Sequence, residues 1–100
     1  MIVYVSHAYG GKMKNTRLAR KITYELQEKD PNNTYICPLL ALPHIEGGKM
    51  DEEAVMENRI DLLSVCDKLI VASKPSNSVQ EEIDFARIFK MEVEYLEDAK

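Results

Sequence analysis

Four short apolar runs, each separated from the next by enough chain to cross back over a sheet, constrain this sequence more than any other feature. They are Ile2-Val-Tyr-Val-Ser6, Thr34-Tyr-Ile-Cys37, Leu69 to Ser73 and Met91-Glu-Val-Glu-Tyr-Leu96, the last alternating as an edge strand does. Helical patterns lie between them. Leu18, Ala19, Ile22 and Leu26 recur at helical spacing, with Arg17, Arg20, Lys21, Glu25 and Glu28 outside, Asn15 as the expected cap and Asp30-Pro31 as the stop. Asp51 opens a second helix with acids in its first turn and apolar positions Val55, Met56, Leu62, Leu63 and Cys66. A third runs from Ser78 to Phe89 after the turn-forming Lys74-Pro-Ser-Asn77.

Strand-helix alternation with right-handed crossovers predicts an α/β chain with an open, mostly parallel sheet and helices on both faces. The expected architecture is a small Rossmann-like, flavodoxin-like three-layer sandwich with strand order 2-1-3-4. In that order the reversal lies beside strand one and brings the loops after strands one and three together as a ligand crevice. Those loops hold His7 to Lys12 and Lys74 to Ser78. The stretch from Pro38 to Met50 has no periodicity and reads as a long loop, a candidate lid.

The third helix carries the residue that points to chemistry. At roughly 100° per residue, Val79, Ile83, Ala86 and Phe89 gather on one arc, and Glu82 projects between Ala86 and Phe89. A carboxylate on a core-facing stripe is costly unless it is paired, hydrogen-bonded or opens into a cleft. Glu81 is assigned to structure instead, completing a capping box with Ser78 as N-cap. Arg59 falls within the arc of Val55, Leu63 and Cys66 and is a second inward charge, expected to reach the cleft and pair with Glu82 or with an anionic ligand group, the alternative being that its stem packs on the core while its head snorkels to solvent.

With 100 residues, 45% of them hydrophobic, the chain suffices for a single domain over residues 1–100, one small enough to gain from oligomerising. A homodimer or larger assembly burying Met56 and Ile60 is expected. A net charge of -4 argues against binding to nucleic-acid duplex but leaves a small anionic ligand open. Cys37 and Cys66 lack ligand spacing and read as reduced core thiols; His7 and His44 form no metal-type cluster, so no metal or cofactor is expected. No segment has the length of a signal peptide's apolar region or of a membrane span, and the cytoplasm is the expected location. Gly10-Gly11-Lys12 follows a strand without the spacing of a phosphate loop or a dinucleotide fingerprint, which leaves a generic anion nest. No nucleophile elbow surrounds Ser6, Ser73 or Ser76; Ser76 is either a turn hydroxyl or a phosphate contact, and Tyr9 either stacks on a base or covers the core edge.

Val3-Tyr4 followed by Ser6-His-Ala-Tyr-Gly-Gly11, and Asp67 followed by Pro75-Ser76-Asn-Ser-Val79 and Glu82-Ile-Asp-Phe-Ala86, resemble the nucleoside 2-deoxyribosyltransferase superfamily over nearly the whole chain. The resemblance is to its short members, which include deoxynucleoside 5'-monophosphate N-glycosidases. It implies that Glu82 attacks the anomeric carbon of a deoxyribose, that Tyr4 orients it, and that Gly10, Gly11 and Ser76 bind a phosphate. Arg59 stands where the resemblance implies an Asp, and Ser78 where relatives often have Gly. The candidate ligand contacts are therefore Ser6, His7, Tyr9, Gly10, Gly11, Arg59, Ser76 and Ser78, for a nucleoside or nucleotide. The competing class is a module that binds a nucleotide or nucleotide-derived signal in the same pocket without turnover.

Overall fold

The computed structural model describes residues 1–43 and 50–99. Its strands are β1 (Ile2–Ser6), β2 (Thr34–Ile36), β3 (Lys68–Val71) and β4 (Glu92–Tyr95). Its helices are α1 (Met13–Lys29), α2 (Pro38–Ala41), α3 (Glu52–Ser64) and α4 (Asn77–Ile88), followed by a 3-10 turn at Glu97–Ala99. All strand pairs are parallel and the order is β2-β1-β3-β4, as the alternation predicts. In register, Tyr4 lies between Ile36 and Leu69, and Val71 lies opposite Tyr95.

Side chains of a strand point alternately to the two faces, and here each face has its own core. Tyr4, Leu69 and Val71 pack with Leu63 and Cys66 at the end of α3 and with Val79, Ile83 and Ala86 of α4. Val5 on the other face packs with Ala19 of α1 and with Cys37 and Leu39 around the start of α2. Full burial of each large aliphatic chain is worth about 1.5–3 kcal/mol. The two cysteines are free and buried, as their spacing suggested. β4 forms an edge, where Lys68 bridges Glu92 at 3.1 Å and Glu94 at 2.7 Å and places charge along the exposed side. Asp67 is tied to the first strand from both sides: its carboxylate accepts the Ile2 N–H at 2.7 Å and its own N–H donates to the Ile2 carbonyl at 2.7 Å.

Several local expectations are corrected. α1 starts at Met13, and Asn15 lies inside its first turn. The turn Tyr9 to Lys12, closed by a Lys12 N–H to Tyr9 carbonyl bond of 3.1 Å, delivers the chain directly to the helix, and the Asn15 amide bonds the Tyr9 carbonyl at 2.8 Å instead of capping. Both central residues of that turn have positive φ, Gly10 at 57° and Gly11 at 72°, which is why glycines occupy it. Leu18 is 41% exposed; Thr16, Ala19 and Thr23 are the buried residues of α1, and the expected Ile22 and Leu26 pack against the same core.

The expected loop from Pro38 begins as the short helix α2, with Pro38 at the position that tolerates a missing N–H. The candidate lid continues through residues 44–49, which include His44, Gly47 and Gly48 and lie outside the described residues. Ser76, not Ser78, caps α4: its backbone is extended and its Oγ accepts the Val79 N–H at 3.3 Å. Ser78 is thereby the second helical residue, and Glu81 no longer falls at the capping-box position. Phe89 is the C-cap, 67% exposed and stacked on Phe85, so it does not bracket Glu82. Asp51 does cap α3, its Oδ1 accepting the Ala54 N–H at 2.8 Å. Met56 and Ile60 are half-buried against their own chain.

Candidate functional site

α4 rises directly from the turn after β3 and lays Val79, Ile83 and Ala86 on the sheet. Glu82 belongs to the same stripe and is 2% exposed. A charge so withdrawn from water requires compensation from its neighbours. It has three. Ser6 at the end of β1 donates its hydroxyl to Oε1 at 2.6 Å. Tyr4, two residues earlier on the same face of β1, donates its phenol to Oε2. Arg59 comes across from α3 with Nη1 3.4 Å from Oε2, and the same nitrogen donates to the Ser78 carbonyl at 3.2 Å.

Burial is the largest influence on Glu82 and raises its proton affinity above the ordinary carboxyl value, while the Ser6 and Tyr4 hydroxyls and the Arg59 charge pull it back. Burial, followed by the charge and hydrogen bond of Glu82, drives the Tyr4 phenol far above its usual range. Tyr4 therefore keeps its proton and acts as a donor toward the carboxylate. The Cys37 thiol is pushed up to about 11 by burial and also stays neutral.

Glu82 and Arg59 reach one wall of a cleft of about 790 Å³ at the carboxyl ends of β1 and β3, where a parallel sheet of this order opens. The loop after β1 contributes His7, Tyr9 and Gly10, and the start of α4 contributes Ser76 and Ser78. The His7 imidazole bonds the Ala8 carbonyl through Nδ1 at 2.7 Å. Because a carbonyl only accepts, Nδ1 carries the proton and Nε2 is left for another partner.

Most of the residues singled out in the sequence are thus brought together, in two different ways. His7, Tyr9, Gly10, Arg59, Ser76, Ser78 and Glu82 line the cleft. Tyr4 and Ser6 stand behind it and act through Glu82. Gly11 serves the turn and is not part of the wall. The Ser76 hydroxyl is engaged in capping α4.

Three carboxylates of the wall were missed: Glu81 on α4 and Glu52 and Glu53 at the start of α3. Each had a sufficient structural explanation in sequence, as a cap or as a partner of a helix dipole, so no pattern set them apart. The apolar lining from Leu39, Val55 and Met56 was also unassigned. Arg59 is the one Lys or Arg among the described lining residues. The described residues of the cleft therefore offer acceptors on its acidic side, one cation beside Glu82 and an apolar wall between. No cluster of three or more His, Cys, Asp or Glu side chains arranged to hold a metal occurs among the described residues, and no helix among them is long and apolar enough to cross a membrane. No protein-family model matches the chain, and no curated protein matches it.

Proposed function

We propose that the chain cleaves or transfers the N-glycosidic bond of a (deoxy)nucleoside or its 5'-monophosphate, with Glu82 as nucleophile, as a short member of the nucleoside 2-deoxyribosyltransferase superfamily. The observation that carries this reading is the Glu82 carboxylate, oriented by Tyr4, Ser6 and Arg59 at the edge of a cleft. Such a carboxylate can attack an anomeric carbon as the bond to the base nitrogen breaks. The bonding pair leaves with the base, which takes up a proton, and the sugar is held as an ester of Glu82. Water then opens the ester to give the free sugar, or a second base opens it to give a new nucleoside, and either step restores the carboxylate.

The cleft's composition fits such a substrate. Tyr9 and the apolar residues of α3 offer surfaces for a flat base, and the carboxylates of Glu52, Glu53 and Glu81 can accept hydrogen bonds from base N–H groups. With one fixed cation among the described lining residues, the wall favours a ligand of low negative charge over a polyphosphate.

Purified protein incubated with a panel of nucleosides and 5'-monophosphates, with chromatography for free base, tests this reading. Release of base by wild type and its loss in Glu82→Gln, with the far-UV spectrum unchanged, is the expected result. One observation favours a second reading. Glu82 is almost inaccessible and already paired with Arg59, as suits a module that holds a nucleotide without turnover. Saturable nucleotide binding with no base released across the panel would support that module and reject the enzyme.

A further inference from the structure

We propose that Arg59 is a positioning residue that holds Glu82 in its carboxylate form, through the contact that joins α3 to α4 at the cleft wall. The inference rests on reading Glu82 as the nucleophile. It concerns how this chain keeps such a group ready in a nearly dry place.

The three partners of Glu82 differ in what they demand of it. Ser6 and Tyr4 are hydroxyls, which can donate to a carboxylate or turn and accept from a carboxylic acid. As donors they too favour the anion, but either can turn to accept from the acid, so their preference is conditional. A guanidinium has donors only and a permanent charge, so it distinguishes the two states and favours the anion. Arg59 is placed to exert that preference: it is 7% exposed, so water screens it little, and the Ser78 carbonyl fixes its Nη1 at 3.2 Å.

Among the described residues, the other groups facing Glu82 do not supply a fixed positive charge. Tyr4 from β1 and Cys37 at the start of α2 stay neutral. β3 presents Leu69 and Val71 to this side of the sheet. On the cleft side, Glu81 of α4 and Glu52 and Glu53 of α3 add no cation, and His7 stands at the end of β1. Without Arg59, burial would act against a weaker opposing pull and favour a proton on Glu82. A protonated Glu82 cannot attack an anomeric carbon.

The test reads the protonation of Glu82 directly and needs no turnover. Protein labelled with carbon-13 at the Glu side-chain carboxyls is titrated by NMR, and the Glu82 signal is assigned by its absence in Glu82→Gln. In Arg59→Met the midpoint should move upward, a roughly tenfold or greater rise in proton affinity, and Arg59→Lys should restore much of the wild-type value. The unaltered protein gives a second readout, because the Arg59 guanidinium nitrogen-15 signals should titrate with the same midpoint as Glu82. An unchanged midpoint in Arg59→Met, or Arg59 signals indifferent to the Glu82 titration, overturns the proposal. If the chain turns over substrate, the acidic limb of kcat/KM should shift in the same order through the variants. If it does not, the enzymatic reading fails while the titration still decides the role of Arg59.

Discussion

Replacing Glu82 with Gln, Arg59 with Met, and both together measures what the buried pair is worth to the fold. The side chains keep only 3% and 8% of their exposure at a separation of 3.4 Å, so a charge left alone recovers little hydration. Removing one partner of a buried pair costs about 3–5 kcal/mol. The lower end applies here, because each survivor has help. In Glu82→Gln the guanidinium keeps the Ser78 carbonyl, and in Arg59→Met the carboxyl keeps Ser6 and Tyr4 and can take a proton. For a domain of this size a loss of ~3 kcal/mol lowers Tm by roughly 12–24 °C. The double variant removes both charges and leaves an amide beside an apolar chain of comparable length. It should therefore lose no more than either single variant, a coupling of at least about 3 kcal/mol. Urea unfolding of the four proteins at one pH, followed by circular dichroism, yields this cycle. Single effects that simply add in the double variant would refute the argument that the two charges stand or fall together.

Two further predictions concern the end of α4 and the pH dependence of stability. α4 ends with the Lys90 N–H bonded to the Arg87 carbonyl at 3.1 Å and the Met91 N–H to the Ala86 carbonyl at 2.8 Å, a Schellman pattern with a lysine at φ 57° where glycine is usual. Lys90→Gly should raise stability by up to about 1 kcal/mol in urea unfolding, and a loss of stability would show that the left-handed residue is not strained. The second concerns pH. The folded chain binds the Glu82 proton more tightly than the unfolded chain, whose ordinary value is 4.5. Its contribution to stability is complete below that value and is lost as pH rises through the higher folded midpoint. Wild-type stability relative to Glu82→Gln should accordingly fall with rising pH over this window, while any activity rises. A difference that grows with pH would contradict the dominance of burial.

The sheet order and the meeting of β1 and β3 were legible because alternation and handedness leave few topologies for four strands. The pairing of Glu82 with Arg59 was legible for a related reason: two inward charges on neighbouring helices have few other partners. What escaped was decided by local geometry. Ser76 and Ser78 are chemically identical caps, and the extended backbone at Ser76 made the choice. The Lys90 stop lacks the glycine that announces such ends, and the four residues of α2 are too few to show a period. Leu18 was read as buried because it is apolar, whereas the smaller Thr16 and Thr23 take the buried positions of α1. The acidic side of the cleft was hidden because Glu52, Glu53 and Glu81 already had adequate roles at helix starts.

As the proposed nucleophile, Glu82 forms a covalent bond with a sugar during turnover. Acid-quenched reactions of wild-type protein with the nucleosides or 5'-monophosphates that release base, examined by intact mass spectrometry and peptide mapping, test it most directly. A glycosyl adduct on the peptide that contains Glu82, lost when base release is lost in Glu82→Gln, is the expected result. Base release that continues in Glu82→Gln, with no adduct on that peptide in wild type, would contradict it.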